Sequence, residues 1–215
     1  MKVTIVCSDP RHPVYPHLQR WSARNSAHEV SLISSIREAT GGDLMFLISC
    51  NELVKKEVRD RFAKTLVIHA SDLPRGRGWS PHIWQILEGN SEIVVTLLEA
   101  EDKVDSGNIW HQIKMQIEPG DLVDEIHEKL FQTEVELMDF AVQNFATIQP
   151  RPQRDEPPTF YPKRQPEDSR LDPDGTIADQ FNLIRVCDPD RYPAFFDLHG
   201  HRYEIRLTKK DIPGE

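Results

Sequence analysis

Three things in short supply each exclude a class of protein. Cysteine is scarce: Cys7, Cys50 and Cys187 are the only three in 215 residues. They are too few and too scattered for a disulfide framework, and two sit on apolar runs that read as strands, so all three are expected to be reduced and structural. Basic residues are also short, with 26 Lys and Arg against 35 Asp and Glu and a formal charge of −9. That balance argues against docking along a nucleic-acid backbone, and with it against a tRNA substrate. Long apolar runs are missing: no stretch approaches the roughly 18 apolar residues of a membrane span. Met1-Lys-Val-Thr-Ile-Val-Cys7 is too short for a signal peptide, so a cytoplasmic protein with no membrane partner is expected. No internal repeat is present, and the length suits one main domain with a small appendage.

What is present is an alternation of strand and helix signals. Residues 3–7, 29–33, 44–49 and 66–69 are short apolar or β-branched runs bounded by turn residues, and read as buried strands. Between them a helix is expected to begin near Leu18, and another over residues 52–64, where Leu53, Val54, Val58 and Phe62 fall near helical spacing. Such alternation implies a Rossmann-like α/β fold with a mostly parallel sheet and flanking helices. Ser80 is expected to cap a further helix that starts at Pro81 and stops at Gly89-Asn90. Residues 92–98 and 108–117 read as strands, and 121–148 as one long helix with Val123, Ile126, Leu130, Leu137, Ala141 and Phe145 on one face. The reading therefore divides the chain at 148/149. Beyond that point come a proline-rich extended arm to residue 174, a helix near 177–186 and a β-hairpin turning at His199-Gly200.

Chemistry concentrates in His69-Ala-Ser-Asp-Leu-Pro-Arg-Gly-Arg-Gly-Trp-Ser-Pro81 and, one strand later, Val104-Asp-Ser-Gly-Asn-Ile109. His69 closes a buried strand, and Asp105 sits on a tight turn after the next one; ligands of open parallel sheets bind beyond the carboxyl ends of the strands, so both can face one cleft. Alone, His69 reads as a satisfied core histidine and Asp105-Ser-Gly107 as an ordinary type I turn. His199 and His201 lack a third ligand at a hairpin tip, so no metal is expected.

The order His-x-Ser-x-Leu-Pro-x-x-x-Gly followed by Asp-x-Gly-x-Ile resembles the core of the folate-dependent formyltransferases, a group that includes methionyl-tRNA formyltransferase and the sugar N-formyltransferases. The resemblance implies formyl transfer from 10-formyltetrahydrofolate to an amine. His69 would carry a proton or steady the oxyanion, and Asp105 would orient His69 and relay the amine proton. Members of the group usually carry Asn-x-His. Here Val67 or Thr65 occupies the corresponding place, leaving Asn51, the Thr65 hydroxyl or a backbone N–H as replacements, and loss of the amide is worth roughly 3 kcal/mol if nothing substitutes. The pterin would lie against backbone of Leu98, Glu99, Ala100 and Asp102 and of the strand end from Phe46 to Ser49.

Tyr161-Pro-Lys-Arg-Gln-Pro-Glu-Asp-Ser169 and Phe181-Asn-Leu-Ile-Arg185, running on to Tyr192-Pro-Ala-Phe-Phe196, resemble a segment of the sugar N-formyltransferases. The acceptor implied is a nucleotide-linked 4-amino-4,6-dideoxy sugar, carried on UDP in a pseudaminic-acid-type pathway. Arg75, Arg77, Trp79, Lys163, Asn182, Arg185 and Tyr192 are the candidate contacts to it. Relatives often pair, so the resemblance also implies a homodimer. Two alternatives stay open: a phosphoribosylglycinamide-type formyltransferase, and a non-catalytic folate or nucleotide-sugar binding homologue.

Overall fold

The computed structural model describes residues 1–210. In chain order the elements are β1 (Lys2–Val6), α1 (Tyr15–Arg24), β2 (Glu29–Ile33), β3 (Gly42–Leu47), α2 (Lys56–Arg59), β4 (Phe62–His69), β5 (Arg77–Gly78), α3 (Pro81–Leu87), β6 (Glu92–Glu99), β7 (Ile109–Gln116), α4 (Val123–Asn144), β8 (Phe160–Tyr161), α5 (Ile177–Arg185), β9 (Ala194–Leu198) and β10 (His201–Ile205). Six strands form one sheet in the order β2-β1-β3-β4-β6-β7. The β1–β2, β1–β3 and β3–β4 pairings are parallel, and β6 and β7 extend the sheet antiparallel. The expected mostly parallel α/β sheet with flanking helices is therefore present, as are the arm, the last helix and the hairpin.

Alternation along the strands sorts side chains to two faces. Val3, Ile5 and Cys7 of the first run, with Leu44, Phe46 and Leu66, pack under Leu18 and Trp21 of α1, Ile83 and Ile86 of α3 and Ile126, Leu130 and Leu137 of α4. The other face is smaller, built on Val6, Met45, Leu47, Val54 and Phe62. Trp21 is fully buried yet keeps its indole N–H satisfied by Asp139 of α4 at 2.7 Å, which also takes Arg24 at 2.6 Å, locking α1 against α4. A third cluster, Leu171, Ile184, Cys187 and Ala194, joins α5 to the hairpin.

Three local expectations change. The helix over 52–64 shrinks to the single turn of α2: Leu53 is 62% exposed, Val54 and Phe62 reach the smaller core cluster from loop and strand backbone, and Phe62 already pairs with Gly42 as the first residue of β4. Parallel pairing with β3 outcompetes continuation of the helix. The long helix runs only over Val123–Asn144, because Asp121 is spent accepting the Glu118 N–H and Lys129, while Glu125 caps the Leu122 N–H. Ser80 precedes α3 in a left-handed conformation at φ 48° and its side chain caps nothing, although Pro81 does begin the helix. Gly89 and Asn90 close α3 as foreseen, through N–H bonds back to Ile86 and Gln85. His199 and Gly200, both at positive φ, make the hairpin turn. Among the described residues no helix is long and apolar enough to cross a membrane.

Glu134 of α4 is buried with Oε2 unpaired, and burial pushes its carboxyl up to about 8. The folded state therefore holds this proton above pH 4.5, where the unfolded chain gives it up. Stability from this group is complete below about pH 4.5 and is lost as pH rises towards 8. Glu134→Gln should flatten that decline, gaining a few kcal/mol over the wild type at pH 8 and little at pH 4.5 in urea titrations. Equal pH slopes for the two proteins would contradict the assignment.

Candidate active site

The sheet reverses its winding between β1 and β3, and the crevice beyond the carboxyl ends of such strands is where α/β sheets receive ligands. Two contacts cross it: Ser8 Oγ accepts the Asn51 N–H at 3.0 Å, and His12 Nε2 lies 3.4 Å from Ser49 Oγ. At the end of the next strand, β4, stands His69, its side chain 8% exposed.

His69 Nε2 lies 2.9 Å from the Gly76 carbonyl. A carbonyl only accepts, so Nε2 carries the ring hydrogen and Nδ1 offers the lone pair. Nδ1 faces Asp105 Oδ1 at 3.6 Å, with the Asp105 side chain 7% exposed. That separation is longer than a hydrogen bond and within reach of an ion pair. A proton arriving at Nδ1 is thus received beside a carboxylate, where the imidazolium it creates is stabilised.

Asp105 is positioned by backbone. Its Oδ2 accepts the Gly78 N–H at 3.1 Å, and its own residue sits at φ 54°, a left-handed conformation that Asp tolerates and that departs from the type I turn expected. Gly107, two residues on, lies so close to β6 that a Cβ there would fall 1.9 Å from the Glu99 carbonyl oxygen. Only glycine fits at that spot.

The arm completes the site, which the sequence did not disclose. Gln153 Nε2 donates to the carbonyls of Asp105 at 2.9 Å and Gly107 at 3.0 Å, while its Oε1 accepts from Arg77 at 2.7 Å. β8 pairs with β5 in the glycine loop, Thr159 Oγ1 takes the Gly76 N–H at 2.8 Å, and Arg154 pairs with Asp72 at 2.7 Å. The arm is a strap across the loop that carries Gly76 and Gly78. No periodicity marks Gln153; its only signal is a polar side chain in a stretch too rich in proline to be helical.

The remaining candidates divide. Trp79 and Lys163 meet, the ammonium 5.0 Å from the indole centroid, and Trp79 is 48% exposed. Arg75 is exposed and paired with Glu156, whereas Arg77 is buried against Gln153. Arg185 is not a free substrate contact: it is buried, with Nη1 on the Glu118 and Asp121 carbonyls and Nε on Asn182. With Asn182 it borders a separate groove beside Gly89, Ile117 and Pro119. Tyr192 is exposed under Arg191.

Asn51 lies beyond β3 with its side chain exposed and without a hydrogen-bond partner among the described residues, and its backbone N–H is taken by Ser8 Oγ. Val67 offers no polar atom. Thr65 is four residues back, about 13 Å along the strand, and its buried hydroxyl is unpaired. Phe46 and Leu98 have their side chains wholly in the core, leaving only backbone for a ligand. Glu99 pairs with Lys64 and Asp102 with Arg59, both at 2.6 Å, and the Ala100 N–H is held by the Thr65 carbonyl at 2.8 Å.

A doubly wound sheet with an imidazole and a carboxylate meeting at its carboxyl edge, strapped by an extended segment, defines a class of α/β protein whose polar site lies where such sheets receive ligands. The family is explicit: the chain belongs to the formyl transferase family, whose model matches residues 4–142. It is 30% identical over 172 residues to the methionyl-tRNA formyltransferase of Bacillus subtilis (strain 168), an alignment covering 78% of this chain and 54% of that protein. The chain thus spans about half the length of the curated relatives it matches. Among solved structures it is similar to a methionyl-tRNA formyltransferase from Clostridium thermocellum, with a TM-score of 0.83 at 21% identity over 98% of this chain and 94% of that one. A sugar N-formyltransferase from a Shewanella species gives 0.75 at 20% identity over 99% of both chains. HypX from Aquifex aeolicus in complex with tetrahydrofolic acid gives 0.80 at 23% identity, covering 100% of this chain and 40% of that one. At these identities the structures show a shared fold.

Gly107→Ala should lower the melting temperature clearly, by several degrees, since the β6 backbone cannot retreat from a Cβ without losing its pairing with β7. An unchanged melting curve would mean that the turn is free to move, and that Asp105 is not held as described.

Proposed function

We propose that the protein is a folate-dependent N-formyltransferase that moves a formyl group from 10-formyltetrahydrofolate to the amino group of a nucleotide-linked 4-amino-4,6-dideoxy sugar. The observation that carries the reading is the His69 to Asp105 pair, 3.6 Å apart at the carboxyl edge of the sheet, in a chain of this family. The sugar acceptor is supported by the charge of −9, which disfavours a nucleic-acid substrate, and by the exposed Trp79 with Lys163 above it, suited to a base and its diphosphate. UDP as carrier and a pseudaminic-acid-type pathway belong to the same proposal, as do a cytoplasmic location and the division into a catalytic part, 1–148, and an arm, helix and hairpin, 149–215. Of that second part, residues 211–215 lie outside the described residues. A homodimer is part of it too, supported by Leu198 and Tyr203 exposed on the hairpin.

The residues present fit a folate. A depression along the first half of β4, lined by Phe62 and Thr65 together with Arg59, Lys64, Glu99 and Glu101, borders the backbone of Leu98 to Asp102. Backbone of Leu98, Glu99, Ala100 and Asp102 and of the strand end at Phe46 and Ser49 would hold the pterin. Bound 10-formyltetrahydrofolate would supply an electrophilic formyl carbon to the acceptor nitrogen. His69 Nδ1 would take the proton that the acceptor nitrogen sheds, Asp105 would hold the resulting charge, and the imidazolium would return that proton to the folate nitrogen as its bond to the formyl carbon breaks. Gly76 keeps the ring in the tautomer that leaves Nδ1 free to do so.

A second reading has its own observation. Val67, which has no polar side-chain atom, stands where the family's amide would be, which suits a homologue that binds without turnover. One assay separates the readings: the protein with 10-formyltetrahydrofolate and a panel of UDP- and dTDP-linked 4-amino sugars, following folate release and product mass. Formylated sugar is expected, with His69→Asn and Asp105→Asn each about a hundredfold slower while still folded. Binding of both ligands without product would support the non-catalytic homologue. Turnover on glycinamide ribonucleotide alone would move the protein to the purine-type branch.

A further inference from the structure

Three histidines outside the His69 to Asp105 pair converge from separate elements. His12 lies in the loop after β1, His82 at the start of α3 and His127 on α4. His82 and His127 stand 6.2 Å apart between ring centroids; His127 stacks on Phe131 at 5.4 Å with planes 25° apart, and His12 meets the same Phe131 edge-on at 6.0 Å. All lie on the side of the sheet where its carboxyl ends open.

Their chemistry is that of uncharged rings. Burial lowers His12 to about 4 and His82 to about 3, and burial also lowers His127. The tautomer of His12 is fixed as well: Nδ1 accepts the Val14 N–H at 3.2 Å, so Nε2 carries the hydrogen and is directed at Ser49 Oγ. His82 differs. Its Nε2 is closed to bulk solvent and has no hydrogen-bond partner, although the ring itself is only partly covered. An unpaired buried nitrogen costs about 1–3 kcal/mol, and such a group asks for a reason. A protonated His69 would disfavour charge on His82, and Arg191 acts likewise on His12 and His127 from the rim, 3.7 Å from Asp9.

We propose that His12, His82 and His127 line the pocket for the amine-bearing acceptor, with His82 Nε2 hydrogen-bonding to it, and that what they receive is the polyhydroxylated ring of an amino-hexose. Neutral imidazoles offer single donors and acceptors, which match ring hydroxyls. A phosphate would call for converging cations free to meet it, and the two arginines at this rim, Arg11 and Arg191, are both already paired with Asp9. The nucleotide is thereby left to the Trp79 and Lys163 side of the site. This assignment rests on the sugar reading above and adds which residues recognise the sugar.

The test is steady-state kinetics on the 4-amino sugar nucleotide that the wild type turns over, comparing His82→Leu with His82→Gln. His82→Leu should raise the acceptor KM about tenfold or more, leaving the KM for 10-formyltetrahydrofolate within twofold. His82→Gln, which keeps a hydrogen-bonding atom, should recover most of the loss. An unchanged acceptor KM in His82→Leu, or equal losses for both substrates, overturns the proposal. If His82→Leu does not fold, His127→Phe, which preserves the stack on Phe131, is read against the same criteria. A wild type that formylates glycinamide ribonucleotide and no sugar ends both the sugar reading and the amino-hexose assignment. Sugar turnover with an indifferent His82 ends this one alone.

Discussion

The structure depends on one carboxylate being held in place. Asp105 reaches His69 only because its turn is fixed from three sides: the Gly78 N–H on its Oδ2, the Gln153 amide on its carbonyl, and the Glu99 backbone pressed against Gly107. None of these partners is adjacent to Asp105 in sequence. The glycine loop supplies one, the arm another and the end of β6 the third, so loop, arm and sheet must all be in register before the pair exists. The register slip between Leu97 and Leu98 falls where β6 turns into this region, bending the chain towards the site.

The arm therefore belongs to the site as much as the strands do. Thr159 and Tyr161 continue the backbone pairing of the glycine loop, Arg154 and Glu156 answer Asp72 and Arg75, and Gln153 joins the buried Arg77 to the acid turn. Each polar link is modest in isolation, on the order of 1 kcal/mol. Together they tie down a loop that two glycines at positive φ would otherwise leave free. In the proposed reaction, a group that receives a proton at a fixed atom gains most from such restraint, because the carboxylate is in place before the proton moves.

Much of this was legible in the sequence, for physical reasons. Strand runs such as 3–7 and 44–49 are buried on both faces and so are continuous in apolar character; His69 and Asp105 are legible because the residues around them keep a recognisable order. The segment 52–64 misled because helical spacing of Leu53, Val54, Val58 and Phe62 says nothing about what the stripe would pack against, and Phe62 had a better partner in β3. Arg185 read as a ligand contact because a charge in a motif looks available, yet the fold spends it on two carbonyls. Gln153 was invisible because its importance comes from where a proline-rich segment is threaded, which no local pattern encodes.

The same threading gives the account its most direct test, a double-mutant cycle between Gln153 and Asp105 read as kcat for formyl transfer. If Gln153 acts by holding Asp105, Gln153→Ala should slow the wild type about tenfold and add almost nothing in an Asp105→Asn background. Independent, multiplying losses at the two positions would show that the strap does not position the carboxylate, and would contradict the account.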